Sequence, residues 1–287
     1  MKPFKRILVA LDLSTMDEVL IRYSFWFGSA VGAEKIYFIY CARELRALKE
    51  NSQEEEDELP RDESIRQHLS REIEKYNPDS ALDCEFIVDQ TKPLEGLLYW
   101  REVKKAGLLI VGKKKFSSGS GVVSRQFVRQ SDCPVLSVPE TAKKEMGNIL
   151  IPVDFSENSR FAVQMGTELQ PCFNYPSIIC LNVYFAAPEF YGGHETNAYS
   201  LLRKKATAEK YAQFIAPYKK NKKIRPLLIA DNDFKTTKII NDTAKEKSSG
   251  LIIIGAIGHS KLKLLTVGST AEKMMLSDLS VPLMIVR

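Results

Sequence analysis

Residues 251–287 read LIIIGAIGHSKLKLLTVGSTAEKMMLSDLSVPLMIVR, and the stretch combines an apolar run, a glycine-rich loop and an apolar pattern of helical spacing. The run 251–254 predicts a buried parallel strand, and the run 281–286 predicts another. Helical spacing begins at Ala271. Small and hydroxyl residues lie between the first strand and the helix, namely Gly255, Gly258, Gly268, Ser269 and Thr270. The stretch therefore predicts a strand, a loop, a helix and a final strand.

A glycine-rich loop in front of a helix can bind an anion. Glycine adopts positive φ angles and lets a ligand approach the backbone closely. The first turn of a helix leaves backbone N–H groups unpaired and carries partial positive charge, so phosphate binds there readily. Ser269 and Thr270 could cap the helix and offer hydroxyl groups to the same anion. A loop that only makes turns, without a ligand, is the alternative interpretation.

The chain repeats itself. Three segments recur in the same order about 142 to 148 positions later, which indicates a duplicated domain. The matching pairs are 7–15 (ILVALDLST) with 149–157 (ILIPVDFSE), 108–112 (LLIVG) with 251–255 (LIIIG), and 133–138 (CPVLSV) with 281–286 (VPLMIV). We therefore expect one domain at 1–139, a polar linker at 140–147 and a second domain at 148–287.

Strands and helices alternate in both copies. The predicted strands are 7–11, 35–40, 82–88, 108–111, 135–138, 149–153, 177–183, 224–229, 251–254 and 281–286. The predicted helices are 17–31, 64–76, 93–105, 122–130, 157–169, 201–218, 236–247 and one near Ala271. Such alternation predicts an α/β fold of two tandem doubly wound, Rossmann-like domains, each with a five-stranded, mainly parallel sheet. An acidic run at 50–58 and a loop at 188–197 are the main interruptions.

The spacing Gly-x2-Gly-x9-Gly-Ser, together with a repeat that covers nearly the whole chain, resembles the universal stress protein family in its tandem, ATP-binding form. The resemblance implies that ATP, or ADP or AMP, is held by the second copy, and Mg²⁺ could accompany the nucleotide. It also implies a set of nucleotide contacts. These are Pro152, Asp154, Val183, Gly255, Gly258, Gly268, Ser269 and Thr270.

Two of these residues have simpler alternative roles. Asp154 ends the first strand of the second copy, where it could accept a hydrogen bond from an adenine amine or a ribose hydroxyl. It could instead cap the next helix, in competition with Ser156. Val183, which the resemblance places against the base, could be the last core residue of its strand.

The first copy departs from the pattern. Asp12 and Gly112 are present, but Lys115 replaces the second glycine and Val122 follows Gly121 where a hydroxyl residue is needed. Cys41 corresponds to Val183. A long side chain at Lys115 would obstruct the close approach of a ligand to the backbone. We expect this copy not to bind ATP in the manner of the family.

Composition restricts the function classes. The chain has 287 residues, 44% hydrophobic and 27% charged, with a net charge of +5 in which both signs are interleaved, so charge alone does not indicate nucleic-acid binding. Five cysteines without a Cys-x-x-Cys pattern and three distant histidines favour reduced thiols and no metal site. No apolar run reaches 18 residues, so we expect a cytoplasmic protein without a membrane span.

Three functions are compatible with the motifs. The first is a nucleotide-binding regulatory protein of the stress response, with at most weak ATP hydrolysis, because no catalytic motif or acidic pair accompanies the loop. The second is an interaction module that binds no nucleotide. The third is an enzyme that uses the nucleotide, such as an adenylating enzyme.

The last strand of each copy is apolar and is expected at a sheet edge, where it needs a partner. The resemblance implies that these two strands pair as an intrachain pseudo-dimer and that two chains could form a homodimer. The protein partner is not indicated by the sequence.

Overall fold

The computed structural model describes residues 4–41, 61–77, 81–115, 122–185, 194–257 and 267–287. The chain divides into two compact units, Met1–Lys144 and Glu145–Arg287. The acidic run 50–58, the residues 188–193 and Gly258 lie outside the described residues.

The first unit alternates strands and helices around a five-stranded parallel sheet of order β3-β2-β1-β4-β5. Its strands are β1 (Arg6–Leu11), β2 (Lys35–Cys41), β3 (Asp83–Asp89), β4 (Leu108–Lys113) and β5 (Val135–Pro139). Its helices are α1 (Met16–Val31), α2 (Arg61–Tyr76), α3 (Pro93–Lys104) and α4 (Val122–Gln130).

The second unit repeats this topology in the order β10-β9-β6-β7-β8, again with parallel strands. Its strands are β6 (Asn148–Pro152), β7 (Ile178–Phe185), β8 (Ile224–Asp231), β9 (Ser249–Gly255) and β10 (Leu283–Val286). Its helices are α5 (Glu157–Leu169), α6 (His194–Ile215), α7 (Thr236–Glu246) and α8 (Ser269–Leu276), with 3₁₀ turns at Gln170–Phe173 and Ala216–Tyr218. The predicted fold class is confirmed.

The central strands are apolar along their whole length because helices cover both faces of a parallel sheet. Leu251, Ile252 and Ile253 of β9 are fully buried, and Ile7 and Leu8 of β1 are buried to the same extent. Continuous apolar runs, rather than alternating ones, are therefore what identified these strands in the sequence.

Several predicted bounds were wrong. β7 continues to Phe185, two residues beyond Val183. α6 begins at His194, so part of the predicted loop 188–197 is helical, in a polar segment that has no apolar period to reveal it. A short 3₁₀ turn at Gln170–Phe173 was not predicted. Within the described part of the chain, no helix is both long and apolar enough to cross a membrane.

Candidate functional site

A cavity of ≈ 340 Å³ opens at the carboxyl ends of the strands in the second unit. Seven of the eight residues predicted to bind the nucleotide line it, and the eighth, Gly258, lies outside the described residues. The seven are Pro152, Asp154, Val183, Gly255, Gly268, Ser269 and Thr270.

Strand order explains why the cavity forms there. β6 lies between β7 and β9. The chain leaves β6 toward β7 on one side and leaves β9 toward β10 on the other, so the two connections diverge. A crevice opens at such a switch point, beyond the carboxyl ends of the strands.

Asp154 is held by the first turn of α5. The hydroxyl of Ser159 donates to Asp154 Oδ1 at 2.6 Å, and the backbone N–H of Ser156 donates to the same oxygen at 3.0 Å. The helix cap is Ser156, whose Oγ accepts from the N–H of Ser159 at 3.2 Å. The structure therefore assigns the cap to Ser156, and the carboxylate of Asp154 is oriented at the rim of the cavity.

Gly255 is required by packing. A Cβ atom at this position would lie 2.7 Å from Cβ of Asn158 and 2.9 Å from its backbone carbonyl carbon. Any larger residue would push the end of β9 away from the first turn of α5. Part of the glycine pattern is thus explained by the fold itself, without a ligand.

The start of α8 faces the cavity through its backbone. Gly268 is the N-cap, with φ of −62°, and no side chain caps the helix. The expected capping by Ser269 and Thr270 was wrong, because both residues lie inside the first turn. The first N–H groups of a helix have no intrahelical partner. Gly268 has no side chain that could accept a hydrogen bond from them. Gly268, Ser269, Thr270 and Ala271 all line the cavity.

The wall also includes residues that sequence reasoning missed, Thr236 and Ile240 of α7. Thr236 Oγ1 donates to Asp231 Oδ2 at 2.6 Å, and the N–H of Lys235 donates to Asp231 Oδ1 at 2.9 Å. Burial alone would raise the pKa of Asp231, but these hydrogen bonds outweigh it and lower the pKa. An aspartate followed five residues later by threonine, between a strand and a helix, was the available signal.

The corresponding place in the first unit is built differently. Lys114 Nζ lies 2.5 Å from Asp12 Oδ2, so an ammonium group neutralises the carboxylate that corresponds to Asp154. Met16 is buried and packs on Gly112, where a Cβ atom would lie 2.5 Å from its Cγ. Lys115 is exposed, and its N–H donates to Glu140 Oε1 at 3.3 Å.

Asp17 takes the position that Ser159 has in the second unit. Its carboxylate accepts the N–H groups of Asp12 at 3.0 Å and Leu13 at 2.8 Å. Burial, together with the nearby charge of Asp12, raises its pKa to about 6. Both units keep a serine two residues after the aspartate, Ser14 or Ser156, but the first unit has Asp17 where the second has Ser159, and it adds the ammonium group of Lys114.

Metal and thiol chemistry find little support in the described part of the chain. No group of three or more His, Cys, Asp or Glu residues there could hold a metal ion. None of the five cysteines forms a disulfide. Burial raises the pKa of Cys180 to about 12, so its thiolate is scarce at neutral pH.

Comparisons with known proteins agree with the duplicated fold. The model of the universal stress protein family matches residues 3–139 and again residues 146–287. No curated protein sequence matches the chain.

Of three solved structures that match the chain, the first two illustrate the likeness of the fold. A protein of unknown function from Pseudomonas aeruginosa is 12% identical, with a TM-score of 0.70, over 99% of this chain and 93% of its own. A universal stress protein from Archaeoglobus fulgidus is 16% identical, with a TM-score of 0.65, over 99% of this chain and 98% of its own. A universal stress protein in complex with cAMP is 20% identical over 50% of this chain and 98% of its own, with a TM-score of 0.30. Identities this low show the fold alone.

Proposed function

This chain belongs to the universal stress protein family, and from that membership we propose that its second unit binds an adenine nucleotide, ATP, ADP or AMP, as a regulatory ligand. The first unit supports the fold and does not bind the nucleotide in this manner. The nucleotide occupies the cavity at the carboxyl ends of β6, β7 and β9.

One observation carries the proposal. Four segments that are far apart in the sequence bring their candidate residues to the same cavity. Asp154 follows β6, Val183 belongs to β7, Gly255 ends β9, and Gly268 caps α8. Strand ends meet here in any sheet of this order, so the support for the proposal lies in the residue types that meet: a carboxylate, two small hydroxyl residues and two glycines.

The chemistry of the wall suits a nucleotide. The N–H groups at the start of α8 and the hydroxyls of Ser269 and Thr270 can hold phosphate oxygens. Asp154 can accept a hydrogen bond from a ribose hydroxyl or an adenine amine. Pro152 and Val183 supply apolar contact for the base. The volume of the cavity, ≈ 340 Å³, falls within the range of about 300–1,000 Å³ that is typical of small-molecule sites.

A binding role suits this wall better than a catalytic one. The described lining supplies backbone N–H groups, hydroxyls and the Asp154 carboxylate, which already receives two hydrogen bonds. These groups orient a ligand. A Mg²⁺ ion, where present, would be held chiefly by the phosphates that bring it.

Calorimetric titration of the full chain with ATP, ADP and AMP tests the proposal. We expect one nucleotide per chain, and a loss of affinity of about tenfold for Asp154→Ala and for Ser269→Ala, since each removes a hydrogen bond to a charged or polar group. Asp12→Ala, at the corresponding position of the first unit, is the matched control and leaves the affinity unchanged. Failure of all three nucleotides to bind at millimolar concentration would refute the proposal.

A protein-interaction module without a nucleotide is the second candidate. It is favoured by Gly255, which the packing against Asn158 explains without a ligand. Under this function the wild-type chain gives no heat with any nucleotide, and Asp154→Ala changes only the binding of a protein partner.

A further inference from the structure

A half-buried phenylalanine, Phe185, and an exposed one, Phe234, form a pair near the cavity of the second unit. The ring centroids of Phe185 and Phe234 lie 4.7 Å apart, with an angle of 24° between the ring planes. Phe234 is 76% exposed. One face of its ring is covered by Phe185, so most of this exposure belongs to the remaining surface of the ring.

Each phenylalanine is two residues from a residue that lines the cavity, Phe185 on β7 and Phe234 in the loop between β8 and α7. Side chains two residues apart on a strand share a face, so Phe185 follows the cavity residue Val183 on the same side of β7. Phe234 precedes the cavity residue Thr236 by two positions. Phe185 is paired in register with Asp231, which anchors the loop that carries Phe234.

The backbone presents Phe234 at some conformational cost. Its φ angle is 59°, in the left-handed region that bulky side chains seldom adopt. The loop is fixed by Asp231, whose Oδ1 accepts the N–H of Asp233 at 3.2 Å and that of Lys235 at 2.9 Å. Strained backbone of this kind concentrates at sites with a function. Here it holds an aromatic ring out of the core and at the rim of a cavity.

The loop after β3, which is described, has no counterpart of Phe234. Only three residues, Gln90, Thr91 and Lys92, connect β3 to α3, whereas four connect β8 to α7. None of the three is aromatic. An exposed aromatic ring at this loop is therefore found beside the cavity of the second unit and not in the corresponding described loop of the first.

We propose that the Phe185–Phe234 pair is a stacking platform for the planar base of the nucleotide. The inference rests on the proposed function. Bases stack on exposed aromatic rings through their π faces, with little need for hydrogen bonds. A base that contacts Val183 and extends toward the carboxyl end of β7 would reach Phe185 and Phe234.

The experiment compares AMP with ribose 5-phosphate, which carries the same phosphate and sugar without a base. Both are titrated into the full chain, as wild type, Phe234→Leu and Phe185→Leu. We expect AMP affinity to fall about tenfold in each variant because a base–aromatic stack is lost. The affinity for ribose 5-phosphate stays unchanged, and CMP, with its smaller base, loses less than AMP.

Tyr175 provides the matched control. Tyr175 is 57% exposed and has a φ of 54°. It precedes β7, so it lies at the amino ends of the strands, whereas the cavity lies at their carboxyl ends. Tyr175→Leu removes an equally strained, exposed ring and leaves AMP affinity unchanged. Phe234→Trp preserves the platform, retains AMP affinity and gives a fluorescence signal that AMP quenches.

The outcomes separate this inference from the proposed function. If wild type binds AMP and Phe234→Leu binds it equally well, the platform is refuted while nucleotide binding stands. A parallel loss of AMP and ribose 5-phosphate would also overturn it, since a damaged cavity would then be the cause. If wild type binds no nucleotide, both fail, and the exposed pair is left as a contact for a protein.

Discussion

The two units share the same strand, turn and helix at their start, but different side chains surround the aspartate in the turn. In each, an aspartate follows the first strand, a residue with positive φ comes next (Leu13 at 59° or Phe155 at 69°), and a helix begins. In the first unit the aspartate is paired with Lys114, whereas in the second Asp154 is held by serine. The backbone of the fold is therefore compatible with either arrangement, and a few side chains decide whether a cavity can receive an anion.

The largest expected difference concerns the glycines that end β4 and β9. Gly255→Ala drives a Cβ into the backbone of Asn158, whereas Gly112→Ala meets only the side chain of Met16, which is flexible. We expect Gly255→Ala to reduce the free energy of unfolding by about 3 kcal/mol and Gly112→Ala by about 1 kcal/mol. Urea denaturation of the two variants measures both values. Equal losses would show that Met16 cannot move aside.

The next effect is a loss of stability as the pH rises from about 4 to 6, which Asp17 gives the first unit and the serine at the same position of the second unit does not. The pKa of Asp17 is raised to about 6 from an ordinary 3.8, so the folded state binds its proton more tightly than the unfolded chain does. Its contribution to stability is complete below about pH 4 and is lost as the pH rises through 6. Between these values, the loss should be about 2 kcal/mol.

Asp17→Asn tests that expectation. An amide keeps an oxygen acceptor for the N–H groups of Asp12 or Leu13 but cannot ionise. The free energy of unfolding of this variant should therefore change less between pH 4 and pH 7 than that of wild type. In the second unit Ser159 occupies the position, so Ser159→Ala should leave the slope with pH unaltered. A slope that survives in Asp17→Asn would place the titrating group elsewhere.

The sequence predicted the fold because its signals are local and repeated. Apolar runs such as 251–254 require burial on both faces, and the alternation with helices leaves a parallel sheet as the outcome. Most predicted residues of the candidate site also proved to be neighbours, because strand ends at a switch point converge whatever the details of the loops.

Other features could not be predicted from the sequence. Ile240 reaches the cavity because α7 lies beside it, which is a matter of tertiary packing. The pairing of Lys114 with Asp12 joins residues about a hundred positions apart. The capping of α8 by Gly268 rather than by a hydroxyl depends on where the helix starts, and helix ends are the least certain part of any pattern.

A smaller effect is expected at the helix caps. Ser156 is buried, accepts the N–H of Ser159 and caps α5, whereas α1 has no side-chain cap at Thr15. Ser156→Ala should lower the free energy of unfolding by about 1 kcal/mol, and Thr15→Ala should lower it by less than about 0.5 kcal/mol. Denaturation in urea gives both numbers. A similar loss in the two variants would mean that the hydroxyl of Ser156 contributes nothing as a cap.

The smallest expected effect concerns the pair of Asp12 and Lys114. Burial raises the pKa of Asp12, but the hydrogen bonds from Lys114 and Ser14, together with the charge of Lys114, outweigh burial and lower the pKa. The side chains are 57% and 33% exposed, so water and salt screen the attraction. Replacing Lys114 with the residue that the second unit has at this position, Lys114→Ile, should therefore change the free energy of unfolding by no more than about 1 kcal/mol.

Two measurements separate charge from packing in Lys114→Ile. The carboxyl resonance of Asp12, followed by NMR against pH, should titrate at higher pH in the variant than in wild type because the ammonium group is gone. The difference in stability should shrink in about 0.5 M salt if it is electrostatic. A loss well above 1 kcal/mol that salt does not alter would show that the aliphatic stem of Lys114 packs against the turn. Apolar contact rather than charge would then fill the place around Asp12, and removal of the ammonium group alone would not let an anion bind there.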